Sequence, residues 1–247
     1  MPAGERWQLP AWWWGPLRSD QTQRTMHDLI EQGVFDRATS DLLATFIALG
    51  ASVIVCAGPS GAGKTTLLTS LMPFVAPARH PFFVRGSYDP LTELDQADSS
   101  RQVILINEIS PHLPIYLWGP NARRVFDAGQ RGTQLLATAH AENAESLIHQ
   151  LMSHPTNATI DHLKLWDLVI FLSAWRTPSG IHREIRSIVS LSGEVDQGIR
   201  VDQLAGRSSD GESLVWNESS LAAFVVRLEA RSIGSNGPPF TGVSTPG

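Results

Sequence analysis

The sequence predicts an α/β fold: a mainly parallel sheet with helices on both faces and an antiparallel extension toward the C-terminus. Three observations carry this. The short runs "SVIVCAG", "VILIN" and "TQLLATA" are mostly apolar and lack polar alternation, as strands covered on both faces require. Segments with helical spacing, "LLTSLMPFV", "NARRVFDAGQRG" and "NAESLIHQLM", separate or follow them. Later, "IHREIRSIVSLSG" alternates apolar and polar residues, as a strand wet on one side does, and "TPSG" before it suits a hairpin turn.

The elements follow in order. "MPAGERWQLPAWWWGPLRSD" reads as an irregular arm, and Trp12, Trp13 and Trp14 are expected to pack on the chain's own body, a neighbouring subunit or a membrane interface being the alternatives. Met26, Leu29 and Ile30 form one helical face; Leu42, Leu43, Phe46, Ile47 and Leu49 form a second; Gly33 and Gly50 punctuate the two. After "SVIVCAG" come a glycine-rich loop and a helix, then a strand in "HPFFVRG" and a polar, turn-like "SYDPLTELDQADSSRQ". Asn143 is an expected N-cap, with Glu145 in the first turn, where the helix dipole favours an acid. "LWDLVIFLSAW" contains a strand and "SDGESLVWN" a turn and a short strand. From Gly234 the tail has no packing pattern and is expected to be disordered. The division is therefore an arm and helical lead-in (1–45), a core (46–195), a strand and helix extension (196–233) and a tail (234–247), with no internal repeat.

Composition narrows the function classes. A chain of 247 residues fits one large domain, or one domain with an attachment. Its 42% hydrophobic and 17% charged residues support a sizeable core and exclude a disordered chain. A net charge of −5 and a pI of about 5.9 argue against a globally basic nucleic-acid binder, and no nucleic-acid partner is expected. The single cysteine, Cys56, lies in the apolar run, so it reads as a buried thiol and excludes a disulfide framework or a cysteine zinc site. That suits a reducing compartment. No run reaches the roughly 18 apolar residues of a membrane span. The N-terminus has no basic region leading into an apolar run, so no signal peptide is expected. The expected location is the cytoplasm, with membrane association only through a partner.

"GPSGAGKT", Gly58 to Thr65, fits the pattern G-x-x-x-x-G-K-[ST], between a predicted strand and a predicted helix. Its glycines let backbone N–H groups curl round a phosphate chain, and the helix N-terminus adds partial positive charge. Gly58, Pro59, Ser60, Gly61, Ala62, Gly63, Lys64, Thr65 and Thr66 are the candidate binding residues, Lys64 reaching the β- and γ-phosphates and Thr65 ligating Mg²⁺. "VILINE" ends in a carboxylate, with neutral Asn107 where many such loops have Asp; Glu108 is thus the acid nearest the γ-phosphate, to polarise water or to hold Mg²⁺ through water. His140 stands in a turn after a third strand, where strand ends gather round a ligand.

Together these residues resemble the type II/type IV secretion and pilus ATPases, the Tad-type and conjugation-type branch above all. The family's Walker A loop is similar to Gly58–Thr66, its Walker B ending in Glu to "VILINE", and its histidine box to Thr138–Asn143. The helical lead-in from Met26 and the late strand with its hairpin extend the likeness over roughly residues 24 to 195. The resemblance implies a C-terminal ATPase domain with a RecA-like P-loop core, using ATP and Mg²⁺, with Lys64, Glu108 and His140 catalytic. It implies that Glu108 assists attack of water and that His140 reports phosphate loss to the helix beginning near Asn143. It also implies a homo-oligomer, a hexameric ring with sites between subunits, working on an inner-membrane secretion or pilus platform protein from the cytoplasmic face.

The chain departs from that pattern. The stretch between the P-loop helix and "VILINE" is short, with Asp89 or Glu93 as the acidic motif and no basic helix. No counterpart is expected for the family's large N-terminal domain with its arginines, which makes Arg79, Arg85, Arg101, Arg123 and Arg124 the candidate substitutes. Two alternatives stay open: a nucleotide-binding regulatory or assembly subunit with little turnover, and a P-loop kinase with "SYDPLTELDQADSS" and Arg123–Arg124 as a lid. His112, His149 and His154 read as loop and surface residues without ligand-like spacing.

Overall fold

A computed structural model describes residues 9–10, 13, 23–58, 60–95, 98–178, 180–195, 198–208 and 213–234. Helix α1 (Met26–Glu31) starts at a reciprocal cap: Thr25 Oγ1 accepts from the Asp28 N–H at 3.2 Å, and Asp28 Oδ2 accepts from the Thr25 N–H at 2.7 Å. Helix α2 (Arg37–Ala48) is capped by Asp36, and both helices bury the predicted faces, Met26 and Leu29 in one, Leu43, Phe46 and Ile47 in the other. The strands β1 (Val53–Cys56), β2 (His80–Phe83), β3 (Gln102–Ile109), β4 (Gln134–Ala139) and β5 (Leu168–Thr177) are mutually parallel, in the spatial order β2-β3-β4-β1-β5. Strand β4 is thus inserted between β1, which feeds the glycine-rich loop, and β3, which ends in the carboxylate.

Alternation along these strands divides the core into two layers. Val53, Val55, Leu105, Leu136, Leu168 and Ile170 pack with α1, α2 and α3 (Lys64–Leu71). Ile54, Cys56, Ile104, Ile106, Leu135, Val169 and Phe171 pack against α4 (Pro120–Gln130), α5 (Ala144–Met152) and α6 (Ile160–Leu163). Helices on both faces are why both parities of each strand had to be apolar. Trp13 is buried on the first layer, its indole N–H donating to the Leu105 carbonyl at 3.3 Å and its ring meeting Phe83 edge-on. The arm therefore packs on the chain's own body at that residue; Trp12 and Trp14 lie outside the described residues.

Past β5 the sheet turns antiparallel through β6 (Gly180–Val195), β7 (Gly198–Arg207) and β8 (Leu214–Trp216). Strand β6 is not the regular alternation that its sequence predicts. Leu172 pairs with Ile185 but Phe171 with Ser187, so Arg186 is an extra residue in a bulge. The bulge resets the parity and lets Ile185 and Ile188, three apart, enter the same layer. Helix α7 (Glu218–Gly234) closes that layer with Phe224 and Leu228, Phe224 lying edge-on to Phe46 at 4.9 Å. Gly234, expected to open the tail, is its last residue, and the rest of the tail lies outside the described residues. Arg231 of α7 bonds Asp167 Oδ2 at 2.6 Å, and the same carboxylate accepts from the Ser52 N–H at 2.8 Å. Both margins of the sheet are short: β2 has four residues, including Pro81, and β8 has three.

Candidate active site

The loop between β1 and α3 is held in shape by two glycines. Gly61 (φ +77°) and Gly63 (φ +95°) occupy the left-handed region, which residues with a Cβ rarely adopt. Gly63 is the N-cap of α3, and no side chain caps that helix, so its first N–H groups are open toward an anion. Gly58 is close to a neighbour: a Cβ there would meet the Glu142 side chain at 2.8 Å. The turn after His140 therefore lies against the start of the loop. Pro59 lies outside the described residues.

Lys64 opens α3 and is buried, yet its ammonium has a partner. Its Nζ lies 3.5 Å from Glu108 Oε2, with the two side chains only 9% and 13% exposed. Burial raises the worth of this attraction over that of a surface pair. The aim of Glu108 comes from a second irregularity. Ile106 pairs with Ala137 and Ile109 with Ala139, three residues on β3 against two on β4, so the ladder bulges at Asn107–Glu108. Bulges next to active sites re-aim side chains, and here the carboxylate meets Lys64. Thr138, fully buried on β4, donates its hydroxyl to the Asn107 carbonyl and braces the bulge.

His140 follows β4 and is half-buried. Burial lowers its pKa, Lys64 and His112 lower it further, and Glu108 and Glu142 oppose them; the ring is accordingly neutral at pH 7. Helix α5 is capped by Asn143, whose side chain accepts from the Ser146 N–H at 2.8 Å, with Glu145 in its first turn. The thiol of Cys56, at the end of the strand that feeds the loop, has its pKa raised by burial and is inert.

Of the predicted site residues, Lys64, Glu108 and His140 are brought together with the loop. Thr65 lies in the first turn of α3, half-buried, and Thr66 beside it. The oxygen donors of Thr65 and Glu108 fit Mg²⁺, which prefers oxygen ligands. Asp89 is not free to act as an acidic motif: buried, it accepts from the Arg85 and Leu91 N–H groups, both at 2.9 Å, and organises its own loop. Nor do the candidate arginines converge. Arg79 donates to the Gln102 and Gly132 carbonyls near the opposite ends of the strands, and Arg124 to the Pro90 carbonyl, whereas Arg85 lines a cleft with Asn107.

Three neighbours of the site escaped sequence reasoning. Arg183 donates to the Gly61 carbonyl at 3.2 Å, and Arg186 to that of Glu142. Both come from β6, and the bulge that allows them to serve one site has no signature in "HREIRS". His112 is the third; its ring stands perpendicular to that of His140 at 5.2 Å. The loop carrying it folds back, with the Ser110 N–H bonded to the Leu117 carbonyl at 3.2 Å and the Leu117 N–H to that of Glu108 at 2.9 Å. Gly86 seats the loop from below, since a Cβ there would collide with the Ile115 backbone at 2.4 Å.

No family model matches the chain. The uncharacterized protein MJ0900 of Methanocaldococcus jannaschii is 26% identical over 188 residues, which cover 68% of this chain and 34% of that protein. The chain thus spans about a third of the length of that relative. Among solved structures, the Legionella pneumophila ATPase DotB is similar with 16% identity and a TM-score of 0.43, over 64% of this chain and 50% of DotB. The VirB11 ATPase of the Brucella suis type IV secretion system, solved with sulphate, gives 18% identity and a TM-score of 0.44, over 69% and 66%. The functional reading rests on the side chains themselves.

Proposed function

We propose that this chain is an ATP-hydrolysing P-loop protein with a RecA-like core, within the predicted 46–195 segment. The carrying observation is the contact of Lys64 with Glu108 beneath a loop whose glycines open a helix N-terminus. In the nucleotide complex Lys64 leaves Glu108 for the β- and γ-phosphates, and the loop N–H groups hold the phosphate chain. Glu108, freed of its ammonium, orients water and takes its proton. Neutral His140 donates a hydrogen bond toward the γ-phosphate and transmits its loss to α5, which begins four residues later. Thr65 would hold Mg²⁺ directly and Glu108 through water; when bound, the ion would neutralise charge on the phosphate oxygens.

The finer reading comes from the residue-level resemblance to secretion and pilus ATPases. It makes the chain a motor subunit in a homo-oligomeric, hexameric ring at the cytoplasmic face of an inner-membrane platform. No helix among the described residues is long and apolar enough to cross a membrane.

The test is ATPase rate per chain against protein concentration, with Glu108→Gln as the blank. A specific rate that climbs with concentration supports sites completed between subunits. ATP binding without turnover above the blank would replace the motor with a regulatory subunit. Lys64→Ala should lose nucleotide binding or turnover, and normal activity in it would end the assignment.

A further inference from the structure

We propose that Glu108, His112 and His140 form a site for one divalent transition-metal ion of the zinc class. Each offers one donor atom, and the three atoms lie within 4.8 Å of one another. Zinc holds imidazole nitrogen and carboxylate oxygen at about 2.0–2.2 Å, so closing this triangle needs side-chain shifts on the order of 1 Å. The rings of His112 and His140 meet at 88°, not as a flat stack, an arrangement compatible with both pointing at a shared centre.

The second observation is the support behind His112. Ser110 is fully buried, and its hydroxyl bonds His112 Nδ1 at 2.7 Å while accepting from the His112 N–H at 3.1 Å. With Nδ1–H donating to Ser110, Nε2 carries the lone pair offered to the metal. Such an outer hydrogen bond fixes tautomer and ring orientation in metal-ligating histidines. The loop of His112 is in turn closed onto Glu108 itself through the Leu117 N–H. Thus one folded-back segment delivers the carboxylate and an imidazole, and the turn after β4 delivers the other.

The donor set decides the class of ion. Two imidazoles and one carboxylate suit zinc, cobalt or nickel, whereas Mg²⁺ takes oxygen. Three protein ligands leave a position open for water. The site stands without the nucleotide reading. Its consequence for turnover rests on that reading: a bound ion holds Glu108 and His140 and withdraws both from the γ-phosphate.

The experiment is a Co²⁺ titration of the full, untagged, chelator-treated chain without nucleotide, followed by visible absorption and then displaced by Zn²⁺. The expected result is saturation at one equivalent per chain, with affinity at least about 10-fold weaker in His112→Ala. Ser110→Ala should also weaken it about 10-fold, as outer-shell losses do. His149→Ala, altering an exposed histidine of α5, should match the parent. Absence of a saturating band, or one indifferent to His112→Ala, overturns the proposal. A thermal melt of each variant checks that the fold persists and keeps the comparison valid. ATP binding, measured separately on the same preparation, tests the nucleotide reading, so either can fail alone.

Discussion

The parallel and antiparallel halves of the sheet serve the site in different ways. Strands β1, β3 and β4 present the loop, Glu108 and the His140 turn from their carboxyl ends, as parallel sheets commonly do. Strand β6 offers Arg183 and Arg186 from its flank, through hydrogen bonds to the carbonyls of Gly61 and Glu142. On the proposed reading one half supplies the reacting groups; the other holds their backbone in place and, through α7, closes the core. Mutations in the two halves should therefore separate chemistry from stability.

The largest separation should come from Glu108→Gln. On the proposed reading, turnover falls about 10²–10⁴-fold, while ATP binding and the melting temperature persist. A variant that unfolds instead would make Glu108 a structural acid. Phe224→Ala in α7 should do the reverse: it empties a buried aromatic site and costs about 3–5 kcal/mol in a denaturant titration. Turnover per folded molecule should survive.

Arg231→Ala sharpens the contrast through pH. Burial raises the Asp167 pKa above its ordinary 3.8, and Arg231 pulls against that rise. The native state thus holds the proton more tightly than the unfolded chain, and stability falls as pH climbs from about 3.8 through the raised native value. Removing Arg231 moves that native value further up and widens the window. The variant should match the parent in acid and lose about 1–2 kcal/mol at neutral pH; melts between about pH 4 and pH 8 check this, and a pH-independent loss would refute it. The smallest effect should be Arg183→Ala. Its one bond to the loop is exposed, so nucleotide affinity should drop only about 2- to 12-fold, about 0.5–1.5 kcal/mol. A loss as deep as that of Lys64→Ala would move Arg183 into the binding machinery.

Much of this was legible in the chain. The run Val53–Cys56 with Gly61, Gly63 and Lys64 after it announces strand, turn and helix, because each residue type suits its backbone. Asn143 declares the start of α5 in the same way. What was not legible depends on long-range pairing. The bulge at Asn107–Glu108 exists only against β4, and that at Arg186 only against β5. His112 reaches His140 because its loop folds back onto the end of β3, a contact between segments no periodicity reports. Strand β7 was overlooked although Ile199 and Val201 alternate with Arg200 and Asp202; its outer half buries little, so its apolar signal is faint.

The short margins of the sheet constrain how copies of the chain can join. An exposed strand edge is a template on which a neighbour can add a strand of its own. Here β2 carries Pro81, which has no N–H to give, and β8 ends after three residues. Strand addition is thus blunted at β2, while on the other side β8 pairs only with Ala205–Arg207 and leaves the Gly198–Gln203 stretch of β7 with no strand beyond it among the described residues. The sheet thus offers a neighbour's strand one edge and denies it the other.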